Sequence, residues 1–211
     1  MYEPMPNVST RERSEAIGEY MRQAAKLRSG RLDRRKAALI GLIGGAVGAY
    51  AMRYYTRKIV PVYFPFVLRP AISDGRIDPL EKRAFVKPRY DEGETTMQVA
   101  GRVVYTNLAG KAPRYGETRE LLGDIAEWAY LILIGMVYGG TRTTTRPRDI
   151  AGGFFMGIRL WLADEVFAPL LGLRAGPTRF TIRQHAVLLS AYWVYSFIMA
   201  NLTRILYRIL P

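Results

Sequence analysis

Four ionisable residues stand where ionisable residues are scarce. Arg159, Asp164 and Glu165 interrupt the apolar stretch 150–173, and His185 opens the last apolar stretch of the chain. An arginine near the middle of a membrane helix costs at least a few kcal/mol, roughly, unless something compensates it. Gly152, Phe155, Leu162 and Val166 share its helical face, whereas Asp164 and Glu165 point elsewhere. Its counter-charge is therefore expected from another helix, a loop or a partner subunit. An ion or proton path is the functional reading of Arg159; a paired structural charge is the plainer one.

Asp164 and Glu165 are neighbours on one helix and diverge by about 100°, so alone they make a poor two-point metal ligand. They lie near the end of their helix, where one of them is expected to face water or a lipid headgroup. His185 is the only histidine. That excludes a di-metal site built from paired Glu-x-x-His motifs. It leaves an axial ligand to haem or a chlorin as one use for His185 and a hydrogen-bonded helix-end residue as the other. No cysteine is present, so disulfides, thiolate metal sites and thiol nucleophiles are excluded. No nucleotide loop, nucleophile elbow or zinc motif is visible, and Gly41–Gly48 lies inside an apolar run without the Gly-Lys-Ser/Thr of a phosphate loop. The chain thus offers no catalytic residue and no metal ligand set. Bound lipid is the expected small-molecule company.

These residues need elements to hold them. Hydrophobic residues make up 49% of 211, yet the mean hydropathy is −0.03. The two figures agree because apolar and polar residues are segregated into blocks, which marks a membrane protein. Residues 37–52, 128–141, 150–173 and 186–203 are almost wholly apolar; 1–36 and 69–95 are polar and charged. The expected fold is an all-α membrane protein of about four transmembrane helices, at about 37–55, 121–140, 150–171 and 184–207. A polar extension, 1–36, precedes the four-helix domain 37–211, and a long interfacial loop, 56–120, follows the first span. Pro61, Pro65 and Pro70 are expected to break that loop into extended or half-embedded chain. Residues 95–110 look helical, with Met97, Ala100, Val104 and Leu108 on one interfacial face. Arg53 is expected to snorkel from the end of the first span, and Asp124 and Glu127 to sit at headgroup level.

Glycines recur at helical spacing. Gly41 and Gly45 in the first span, Gly135 and Gly139 in the second, and Gly153 and Gly157 in the third give close-packing faces on three helices.

The net charge is +13, from 31 Lys and Arg against 18 Asp and Glu. The basic residues flank the apolar blocks, as in Arg34-Arg35-Lys36, which points to anionic lipid or partner subunits rather than nucleic acid. Nine basic residues precede the first span and three lie in 141–149. With four spans, this charge puts both termini in the cytoplasm. No cleavable signal peptide is apparent before residue 37, so the first span is expected to act as its own insertion signal. Within 1–36, Ser9 and Glu12 form a capping box for a helix to about Arg28. Its apolar stripe is narrow, with Ile17, Tyr20 and Met21 as apolar anchors and Arg11, Arg13 and Arg22 as charged ones for a partner surface.

From residue 95 the chain carries TTMQVAGRVVYTNLAG, EWAYLILIGMVYGG and GGFFMGIRLWLADEVFAPLLGL, then His185 near the start of the last helix. With the glycine-rich GLIGGAVGAY, these segments resemble the YagU-like family of small inner-membrane proteins over most of 37–207. The resemblance implies the four-helix architecture and the bacterial inner membrane, and implies no chemistry. Two functions are carried forward: a non-catalytic accessory or scaffold subunit of a larger membrane complex, of respiratory or photosynthetic type for example, and a small homo-oligomeric transporter or channel.

Overall fold

The computed structural model describes residues 18–19, 33–64, 78–91, 93–113, 116–141 and 149–210. All regular structure among them is helical. The N-terminal helix and its docking residues Arg11, Arg13, Ile17, Tyr20, Met21 and Arg22 lie outside the described residues.

Helix α1 runs from Arg34 to Tyr63, α2 is the single turn Pro79–Lys82, α3 is Thr96–Ala109 and α4 is Gly116–Thr141. Helix α5 is Ile150–Leu162, continued through a π turn, Ala163–Phe167, into Ala168–Leu170. Helix α6 is Ile182–Ile209. Three of these, α1, α4 and α6, are long and apolar enough to cross a membrane. The expected third span, 150–171, is not among them; Arg159, Asp164 and Glu165 all fall within its length.

The first helix does not end near residue 55. It continues through Pro61, and the reason is local. A proline inside a helix lacks its N–H and clashes with the carbonyl four residues back. A π turn, Tyr55–Ile59, precedes Pro61, and the Val60 N–H reaches back to the Tyr55 carbonyl. The same device recurs in α5, where the Ala168 N–H reaches the Ala163 carbonyl just before Pro169. Each wide turn shifts the helical register ahead of the ring, so a helix that proline would have stopped runs on.

Helix α1 packs between α4 and α6, antiparallel to both, and α5 packs antiparallel on α6. Glycines make the contacts close. A Cβ on Gly41 would meet the backbone of Gly135 and Gly139, and one on Gly45 would lie 2.9 Å from the Leu131 carbonyl oxygen. Gly44 and Gly48 face α6, where a Cβ on Gly48 would lie 2.9 Å from the Tyr195 carbonyl. Gly153 and Gly157 of α5 lie on Phe197 and Trp193 of α6. The α1 pairs Gly41/Gly45 and Gly44/Gly48 therefore occupy two faces of one helix and bring two neighbours to backbone contact.

Ala49 and Met52, Leu131 and Tyr138, Leu160, and Tyr192, Tyr195 and Met199 form the core across all four helices. The Tyr195 hydroxyl donates to the Leu131 carbonyl at 2.5 Å, so the largest buried side chain leaves its polar atom satisfied. The outer faces are apolar: Leu39, Ile43 and Val47 of α1, Leu133 and Val137 of α4, and Ile198 and Ile205 of α6 are exposed. That distribution suits lipid rather than water.

Helix α3 starts at a capping box, Thr95 with Gln98, and ends at Gly110 in the left-handed region, φ +68°. It packs on α4 through Val99 and Gly101, with the Gly101 backbone against Leu122. On the face expected to lie in the interface, Val104 and Leu108 are exposed.

Candidate functional site

The end of the bundle where α5 gives way to α6 gathers most of the ionisable residues singled out above. The chain turns back after α5 at Gly172, whose φ is +66° and whose missing Cβ leaves room for the Lys87 carbonyl. The return stroke carries Arg174 under the end of α5. Its Nη1 donates to Asp164 Oδ2 at 2.8 Å and stands 3.3 Å from Glu165 Oε1. One guanidinium thereby bridges the two neighbouring carboxylates. The Thr96 hydroxyl, at the start of α3, donates to the other Asp164 oxygen at 2.6 Å. Both acids are turned inward, with side chains only 11% and 4% exposed, so the expectation that one faces water or headgroups is corrected. The π turn that begins at Ala163 carries both residues, and its altered spacing turns both toward the return loop.

His185 closes the cluster. Its Nε2 lies 3.1 Å from the Pro177 carbonyl. A carbonyl only accepts, so Nε2 bears hydrogen. Its Nδ1 lies 2.9 Å from Glu165 Oε1, off the line of a hydrogen bond. Two carboxylates face one guanidinium here, with the imidazole against one of them. Phe180 covers the group, 4.2 Å from the Arg174 guanidinium and edge-on to His185. Both His185 nitrogens thus face protein atoms, and an axial-ligand role would require the ring to leave them. Among the described residues no group of three or more His, Asp or Glu is placed to hold a metal ion.

A second layer ties the loop before α3 to the same return stroke. Asp78 caps α2 through the Leu80 N–H at 2.7 Å and accepts from the Thr178 N–H at 2.9 Å. Burial pushes the Asp78 carboxyl up, but the Thr178 and Leu80 hydrogen bonds outweigh it and hold the group below its ordinary range. Glu81 accepts from the Gly176 N–H at 2.6 Å and faces Arg179.

No family model, no curated protein and no solved structure matches the chain.

Two further ionic contacts join the helices. Arg53 turns onto α4, paired with Asp124 and, at 3.3 Å, with Glu127. At the opposite end of the bundle, Asp149 caps α5 and is joined by the Tyr138 hydroxyl and by Arg204 at 3.4 Å. Arg159 belongs to none of these groups. It is exposed on the outer face of α5, between Phe155 and Leu162, and no carboxylate among the described residues lies within ion-pair distance of it.

Arg174 was the residue sequence reasoning did not single out. Its signal was present: a cation ten residues after Asp164, with Gly172 between them as a turn.

Proposed function

We propose that the chain is a non-catalytic accessory or scaffold subunit of a larger membrane protein complex. In this reading it crosses the bilayer four times, as α1, α4, α5 and α6, with both termini in the cytoplasm of a bacterial inner membrane. One observation carries the proposal. The helices meet backbone to backbone at Gly41, Gly45, Gly48 and Gly135, which leaves no width between α1 and its neighbours for a substrate path. The ionic groups at the two ends join helices and loops to one another, as fasteners do. The alternating directions of α1, α4, α5 and α6 support four crossings, and the resemblance to YagU-like proteins goes with them. Residues 1–36, with nine basic and five acidic side chains, are the segment proposed to dock on a neighbouring subunit.

Purification from native membranes in a gentle detergent tests this. The chain is expected to migrate with other subunits, and a form lacking residues 1–30 to insert normally but assemble poorly. A wild-type chain that runs alone, as a monomer, overturns the reading. The buried Asp164–Arg174–Glu165–His185 group favours a second reading, a homo-oligomeric transporter or channel using ionisable groups within the membrane. Ion flux in vesicles holding only this chain would favour that reading.

A further inference from the structure

We infer that the outer face of α5 around Arg159 receives a membrane helix of a different subunit, one that carries a carboxylate at the matching depth. This rests on the accessory-subunit reading and names the chemistry of the partner.

The first ground is isolation. The charged side chains turned into the bundle are paired: Arg53 with Asp124 and Glu127, Asp164 and Glu165 with Arg174, Arg204 with Asp149. Arg159 faces outward among apolar neighbours, with Phe155 58% and Leu162 42% exposed one turn to either side. A cation held on such a face needs an opposite charge.

Depth is the second ground. Gly157 packs on Trp193, two residues from Tyr195 at the middle of α6. At about 1.5 Å per residue, the Arg159 backbone lies on the order of 7 Å from the bundle's mid-level. The hydrocarbon edge is about 15 Å from the middle. The nearer edge lies toward the C-terminal end of α5, whereas a helical Cα–Cβ bond tilts toward the N-terminus. Snorkelling to a lipid phosphate therefore works against the side chain's own direction, while a carboxylate on a neighbouring helix can meet it at its level.

The third ground excludes a second copy. Among the described residues, Asp124, Glu127, Asp149, Asp164 and Glu165 each already face a cation of this chain, and the other α4 carboxylates, Glu117 and Glu120, lie in its first two turns at the helix end. A two-fold contact through this face would set Arg159 against Arg159. Opposite charge must come from another chain, with apolar residues one turn above and below its acid to lie on Phe155 and Leu162.

The test uses the full chain in phosphatidylcholine vesicles with a synthetic Leu/Ala membrane helix bearing one central Glu, association being read by energy transfer. Wild type is expected to bind this peptide about tenfold more tightly than it binds the same peptide with Gln. Arg159→Gln, at an exposed position, is expected to keep the wild-type melting temperature and to lose that preference. Equal binding of the two peptides by wild type overturns the inference. So does loss of the preference when phosphatidylglycerol is added, which would assign the counter-charge to lipid phosphate. The accessory reading fails separately: it falls if the wild-type chain runs alone from native membranes, whatever the peptides do.

Discussion

Gly45 and Leu131 touch where no side chain fits: a Cβ on Gly45 would lie 2.9 Å from the Leu131 carbonyl oxygen and 3.1 Å from the Gly135 Cα. Backbone cannot move aside as a flexible side chain can, so any larger residue must push α1 and α4 apart. Gly45→Leu is expected to lower stability by more than the ~1–3 kcal/mol of ordinary overpacking, seen as a lower melting temperature in detergent. Gly139→Leu should do the same against Ala37, and Gly157→Leu against Trp193. Gly116→Ala, where nothing lies within 4 Å, is the control and should melt near wild type. Three unchanged leucine variants would refute the packing argument.

Arg174→Leu removes the one guanidinium that faces both Asp164 and Glu165. Removing one member of a buried ionic group leaves charge without compensation, at about 3–5 kcal/mol. The melting temperature should fall steeply. Adding Asp164→Asn to Arg174→Leu should recover part of the loss, because one of the two stranded charges is then gone. A double variant that melts below the single one would show that Asp164 is held by Thr96 rather than by the guanidinium.

What the sequence made legible follows from range. Helices α4, α5 and α6 were visible because apolar blocks are local, and the small-residue spacings are local too. The extension of α1 to Tyr63 was not legible, because Pro61 is a stop signal by every local rule and only the π turn ahead of it lets the helix pass. The candidate site was half legible. Asp164, Glu165 and His185 stood out as ionisable residues in apolar surroundings. That Arg174 unites them depends on the fold-back at Gly172, and the partnership of Arg53 with Asp124 spans 71 residues, beyond any periodicity.

Acid should loosen the layer outside the membrane before the bundle itself. For Glu94, burial raises the carboxyl, but the Arg102 hydrogen bond and charge outweigh it and hold it below its ordinary range. Asp78 is held low by Thr178 and Leu80. A carboxylate whose folded-state pKa is depressed adds stability above its unfolded value, and that stability is lost as pH falls through the folded value. The melting temperature should thus hold steady from neutral pH down to the ordinary carboxylate range and fall below it. Asp78→Asn should flatten part of that fall. A wild-type profile level into strong acid would rule out these two groups as its source.

The topology prediction turns on α5, the helix with three charges. If α5 crosses the bilayer with α1, α4 and α6, the two termini share a side and the loop 142–148 lies on that side as well. The structure already groups these ends: the Asp33 N–H donates to the Tyr207 hydroxyl at 2.8 Å, and Asp149 meets Arg204 at 3.4 Å. The charges need not keep α5 out of the membrane, since Asp164 and Glu165 are paired with Arg174 and turned inward, leaving Arg159 alone on the lipid side. A reporter active only in the cytoplasm should therefore work when fused to either terminus, and a fusion within 65–77 should be inactive. Activity at one terminus only would mean an odd number of crossings, and α5 would then be a helix that lies against α6 without spanning.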